Sequence, residues 1–389
     1  MVYRCIKLAL LALMLLIGAG EALAGENISW WDQPRKGTNG FNVAPREKWF
    51  TDVAAAGIGL VRLSPTKWKG EGRDFLLGNA DEFKGIPAGD LAQFKQALDW
   101  AAARNIRVVV TPLSLPGARW SQQNGDKVDD RLYRNIEYHE QAARFWSELA
   151  TALKDHPAVS GYNLINEPAP ERALGVGDDS QAAITRFHGR YADTAADINV
   201  LYRQIIAAIR EVDQRTPIIL DASSYGTING LAALRPVADA SVLYSVHFYD
   251  PWLFNTWRMN KGALRYGTRM TIDGETFTLD GQWITARFDN VTDWAKRNNI
   301  PANRIFIGEI GCDRRIPGAA EYLEDIVQTV NAGRWHWAFY SFREAWDGMD
   351  YELGTGELPA GLSELEGDER EASVSKLRGP NPLWDELAR

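Results

Sequence analysis

The chain is poor in cysteine and histidine, with two and five of them in 389 residues. The shortage of cysteine bears on stability. Cys5 falls in a leading segment expected to be removed, which leaves Cys312 alone. No internal disulfide is then available, and the fold must be held by the size of its core. Four of the histidines, His139, His156, His188 and His336, show no ligand-like spacing. No metal site is legible, and no cofactor is expected. Blocks of like charge are absent too. The net charge of −8 comes from scattered acids, which argues against nucleic acid or an anionic membrane surface as partner. No internal repeat and no low-complexity linker divides the chain.

The first 24 residues stand apart. Arg4 and Lys7 precede an apolar run from Leu8 to Ile17, and Ala22-Leu23-Ala24 is a small-residue cleavage site. The run is too short to span a bilayer comfortably, so residues 1–24 read as an export signal. No later segment resembles a membrane span. The mature protein, from residue 25, is expected to be soluble, monomeric, and periplasmic or extracellular. An apolar content of 45% with 24% charged residues supplies an ordinary globular core. The 15 tryptophans, 13 tyrosines and 14 phenylalanines must be mostly core, although such a number also suits stacking on flat sugar faces.

Apolar strands alternate with helical stretches along the rest. Strands are expected at Gly37–Asn42, Ile58–Leu63, Ile106–Val110, Val159–Glu167, Ile218–Leu220, Leu243–Tyr249, Ile305–Ile310 and Trp335–Phe342. Between them lie helical patterns, including Asn135–His156 and a helix through Arg104 that Asp90 is expected to cap. Met270–Leu279 alternates around Asp273-Gly274 as a hairpin does. Residues 169–194 read as a long loop, and the acidic, glycine-rich tail from Arg343 as a solvated covering, with Pro382-Leu383-Trp384 docking a last helix. Eight strand–helix units within residues 25–389 predict a single α/β domain, a (β/α)8 TIM barrel with enlarged βα loops.

In such a barrel, chemistry gathers at the carboxyl ends of the strands. The second strand delivers Arg62 and the fourth Asn166 and Glu167, with Pro168 ending the ladder. The sixth delivers His247 and Tyr249 on one face, the seventh Glu309, and the eighth Tyr340 with Trp346 just beyond. Arg62 and His247 each have an ordinary alternative, as partner of a buried acid and as a satisfied core side chain. Glu309 resists one, because a carboxylate ending an apolar strand is costly if buried unpaired. Cys312 reads as a small buried side chain. Two glutamates facing each other across the barrel, with carboxyls about 5 Å apart, are what retaining glycoside hydrolysis needs. One must hold a proton near neutrality while the other stays ionised, helped by an adjacent arginine and tyrosine.

The set V-R-L at Arg62, N-E-P at Asn166–Pro168, H-F-Y at His247–Tyr249 and I-G-E-I-G around Glu309 resembles glycoside hydrolase family 5, the cellulase-type retaining β-glycosidases. The motifs span residues 62–311 in the family's order. The resemblance implies Glu167 as acid/base, Glu309 as nucleophile and Asn166 on the sugar 2-hydroxyl. It implies that Arg62 and Tyr249 orient Glu309, that His247 lines the site, and that Tyr340 is the sugar platform with Trp346 a second candidate. One departure stands out: many members carry a histidine after the third strand, where this chain reads T-P-L-S-L-P-G with Leu113. That leaves β-glucan, mannan, xylan and exopolysaccharide open as the polysaccharide substrate. A transglycosylase and a non-catalytic carbohydrate-binding barrel are the alternatives to an endo-acting hydrolase.

Overall fold

The computed structural model describes residues 27–388 apart from 273, 345, 363, 364 and 366, so the segment expected to be an export signal lies outside the described residues. Eight parallel strands close on themselves: β1 (Lys36–Gly40), β2 (Leu60–Leu63), β3 (Arg107–Val110), β4 (Val159–Asn163), β5 (Ile218–Asp221), β6 (Val242–Phe248), β7 (Ile305–Ile310) and β8 (His336–Phe339). Closure comes from β1 pairing with both β2 and β8, Gly37 opposite Leu60 and Ala338. Strands buried on both faces need continuous apolar runs rather than alternation, and V-V-V, I-I-L and I-F-I supply them. The long amphipathic helices Ala88–Ala102, Ile136–Leu153, Ile198–Val212, Gly281–Arg297 and Ala319–Ala332 lie between consecutive strands in the sequence and bury one face each.

The barrel interior has its own apolar layer, built by Leu60, Val109, Ile219, Leu243, Phe306 and Ala338. Trp31, from a short turn ahead of β1, plugs this layer from the amino-terminal end. It is fully buried, packs edge-on against Phe306 and His336, and donates its indole N–H to the Ser160 carbonyl at 2.9 Å. With the lower half filled by this layer, the buried Arg62, Asp221 and Glu309 gather at the carboxyl-end mouth.

Several expected bounds shift. β4 ends at Asn163 rather than Glu167, because the chain turns out of the ladder: Asn166 N donates to Pro112 O, and Glu167 has a left-handed φ of 51°. β8 ends at Phe339, after which Ser341 N donates to Met349 O instead of to the barrel. Asp90 does not cap its helix. It lies in the first turn and its carboxylate accepts from Glu71 N and Leu76 N, pinning the β2 loop. Residues 169–194 are not plain loop but hold the helices Pro170–Ala173 and Gln181–Arg190. The hairpin forms as Arg269–Ile272 against Glu275–Thr278. The tail is less solvated than expected, since Glu344, Met349 and Tyr351 are buried and the last helix, Pro382–Ala388, inserts Leu383 and Leu387. Among the described residues no helix is long and apolar enough to cross a membrane.

Candidate active site

At the mouth of the barrel the fully buried Arg62 organises the polar layer. Its Nε donates to Asn163 Oδ1 at 2.8 Å. Nη1 reaches Glu309 Oε1 at 2.7 Å and Asn39 Oδ1 at 3.2 Å, and Nη2 reaches Asn166 Oδ1 at 2.8 Å and Asp221 Oδ2 at 3.0 Å. A guanidinium offers five donors in a fixed fork, so residues from β1, β4, β5 and β7 are set by a single side chain on β2. The cost of burying this cation is offset by two carboxylates, Asp221 and Glu309.

Glu309 emerges from β7 beside Gly308. A Cβ at position 308 would meet Ser245 Oγ at 2.7 Å and His247 Nε2 at 3.0 Å, so glycine lets β7 lie tight against β6. The second oxygen of Glu309 accepts from the Tyr249 hydroxyl at 2.7 Å. Burial and the adjoining Glu309 hold the Tyr249 pKa well above its ordinary value, so the phenol remains a donor. Glu309 thus has each oxygen hydrogen-bonded, one to a cation.

Glu167 faces it with a different environment. An oxygen of each glutamate and a nitrogen of His247 all lie within 4.8 Å of one another. Burial, and then the charge on Glu309, raise the Glu167 pKa, while His247 works in the opposite sense. His247 Nδ1 stands 2.8 Å from Glu167 Oε1 and 3.7 Å from Glu309 Oε1. Burial opposes a charge on His247, but Glu309, Asp221 and Glu167 outweigh it and raise its pKa. The two carboxylates therefore sit in different environments: Glu167 in one that favours the protonated form, Glu309 hydrogen-bonded by an arginine and a phenol.

The cavity in front of them has a volume of ≈ 320 Å³. Asn166, Tyr249, Tyr340 and Trp346 line it with the two glutamates, so every site residue expected from the sequence is at or beside one mouth. Arg62 and His247 stand behind this lining. Of the two aromatic candidates, Tyr340 is 9% exposed and its hydroxyl accepts from Asn42 Nδ2, whereas Trp346 is 44% exposed. Leu113 does line the cavity, so the departure after β3 leaves an apolar wall there.

Sequence reading missed several contributors. Asp221 is the chief one: it ends β5, lies fully buried, and Oδ2 accepts from both Arg62 and the backbone N–H of Glu167. The strand-end rule that named Glu309 would have named it. Asn42, Lys67, Trp120 and Trp252 line the cavity itself, but they come from the segments between strands and long helices, where no periodicity marks them.

Residues 23–345 match the model of Cellulase (glycosyl hydrolase family 5). Endoglucanase C of Acetivibrio thermocellus is 23% identical over 257 residues, covering 65% of each protein; the chain thus spans just under two thirds of that relative's length. The endoglucanase Cel5A of Thermotoga maritima superposes with a TM-score of 0.61 at 17% identity, over 91% of this chain and 96% of that one. The cellulose synthase subunit Z of Clostridioides difficile superposes with 0.57 at 18% identity, over 81% and 97%. The match across most of the chain, on a closed eight-stranded barrel, places the protein in glycosyl hydrolase family 5.

Proposed function

We propose that the protein is a retaining β-glycosidase that cleaves within β-linked glucan chains. The observation that carries this is the pair Glu167 and Glu309, with oxygens within 4.8 Å and opposed electrostatic settings. That spacing suits a double displacement, where carboxyls stand about 5–5.5 Å apart, and leaves too little room for the water that an inverting enzyme places between them.

Glu167 gives its proton to the leaving oxygen while Glu309 attacks the anomeric carbon, forming a glycosyl ester. Glu167, then ionised, takes a proton from water as that water displaces the sugar from Glu309. Arg62 and Tyr249 hold the attacking carboxylate in place, each donating to one of its oxygens. Because Asn166 spends its oxygen on Arg62, its amide nitrogen is left to donate to the sugar 2-hydroxyl, a bond that strengthens as the transition state forms. The open faces of Trp346 and Trp252 supply sugar platforms on the β8 and β6 loops.

The relatives named endoglucanases support an internal cut in a β-glucan. A binding-only barrel would not need both carboxylates in these settings. The test is Glu309→Gln with an aryl β-cellobioside and a β-1,4-glucan. Turnover should disappear while the circular dichroism spectrum is kept, and proton NMR of the wild-type reaction should show the β-anomer first. Substantial turnover by the variant, or the α-anomer first, would sink the assignment.

A further inference from the structure

Lys67 stands on the cavity wall in the loop after β2, beside Asn42, Trp120 and Gln122. Its Nζ donates to Asn42 Oδ1 at 2.8 Å and lies 5.7 Å from the centre of the Trp120 ring. Among the described residues no carboxylate comes within ion-pair distance of it. Burial pushes its pKa down, and the two acids that pull it back, Glu344 and Glu309, are committed elsewhere.

Glu344 spends both oxygens on backbone N–H groups, Phe41 at 2.7 Å and Asn42 at 2.8 Å. Burial lifts its pKa to about 7, so near neutrality it supplies less than a full counter-charge. Glu309 is held by Arg62 and Tyr249. The ammonium is thus partly desolvated, facing substrate space, with an amide as its hydrogen-bond acceptor. A neutral hydroxyl on this wall needs no full charge, since Gln122 already offers an uncharged amide. A ligand carboxylate would replace the lost solvation with a charge-assisted hydrogen bond.

Elsewhere the cavity wall is of another kind. Trp252 and Trp346 are apolar and open, and they come from the β6 and β8 loops. The cation is therefore confined to the side built by the β2 and β3 loops, where Leu113 also stands.

We propose that Lys67 recognises a carboxylate borne by the glycan, on the sugar seated against the β2 and β3 loops. The substrate class is then an anionic β-glycan, carrying a uronate or a carboxylated side group next to the cleaved bond. The inference rests on the glycosidase reading for its turnover arm, and a binding arm separates the two.

The probes are carboxymethyl and hydroxyethyl β-1,4-glucan of matched substitution, which differ in charge at similar bulk. Wild type should favour the carboxymethyl polymer in kcat/KM by about tenfold, the size expected of one charge-assisted hydrogen bond. Lys67→Gln should bring the ratio close to one, and Lys67→Arg should keep most of it. Retardation in native gels containing each polymer should show the same preference without turnover. Charged preference in the gels with no hydrolysis of either polymer would defeat the hydrolase reading and leave the carboxylate site standing. Equal handling of both polymers by wild type, or equal losses on both in Lys67→Gln, would overturn it.

Discussion

The backbone N–H of Glu167 donates to Oδ2 of Asp221 at 3.1 Å, and the same oxygen accepts from Arg62 at 3.0 Å. One buried carboxylate thus ties the proposed acid/base to the arginine that holds the proposed nucleophile. It also explains how Glu167 is kept at a φ of 51°, a conformation unfavourable for a residue with a side chain. Asp221→Asn preserves the shape but removes the charge that balances Arg62. We expect kcat to fall at least tenfold with little change in KM, since Asp221 does not line the cavity. Steady-state kinetics beside a melting curve check this; a melting shift without a loss of kcat would leave Asp221 a purely structural residue.

Glu167 should matter in proportion to the leaving group's need for a proton. Glu167→Ala should slow hydrolysis of an unactivated oligosaccharide by about 100-fold or more, within the usual range for a general acid. A dinitrophenyl glycoside, whose phenolate leaves unaided, should suffer far less in its first step. Comparable losses on both substrates would remove Glu167 from the acid role.

The pH dependence has a defined sign. Burial and Glu309 raise the Glu167 pKa, so the protonated acid persists above the pH at which an ordinary glutamic acid ionises. Activity should therefore be lost as pH rises through that raised value. Removing the charge in Glu309→Gln should lower the Glu167 pKa, as read by carbon-13 NMR of the carboxyl. An unchanged or higher value would contradict the coupling. Because the folded pKa exceeds the unfolded one, this group adds stability at low pH and loses it as pH rises, so Glu167→Gln should melt higher than wild type on the alkaline side.

Trp31 closes the amino-terminal end of the barrel. Trp31→Ala should destabilise the fold by about 3–5 kcal/mol through lost burial and an unfilled cavity. Urea unfolding measures it, and a change below 1 kcal/mol would mean that the layer collapses around the gap.

The amino-terminal pattern predicts export. Sequencing the protein recovered from outside the cytoplasm should begin at Gly25; an intact amino terminus there would refute cleavage after Ala24.

Legibility followed the range of the forces involved. V-V-V, I-I-L and I-F-I mark β3, β5 and β7 because a strand buried on both faces must be apolar throughout, and that is a local property. Glu167 and Glu309 were readable because a carboxylate at the end of such a run conflicts with burial. Strand ends were misplaced where tertiary contacts took over: Asn166 turns to Pro112, and Ser341 to Met349. The tail looked solvated, yet Glu344 lies buried against the Phe41 and Asn42 amides, nearly the whole barrel sequence away.

By itself the sequence determined the count and order of strands, the two carboxylates and the resemblance to a family, since hydrophobic period and strand-end polarity are written residue by residue. Only the tertiary structure decided what those residues are to one another. The Glu167–Glu309 spacing, the fork of Arg62 reaching four other strands, the bridging Asp221 and the partly buried ammonium of Lys67 all depend on barrel closure. Closure brings together groups separated by more than a hundred residues, and burial then sets their protonation.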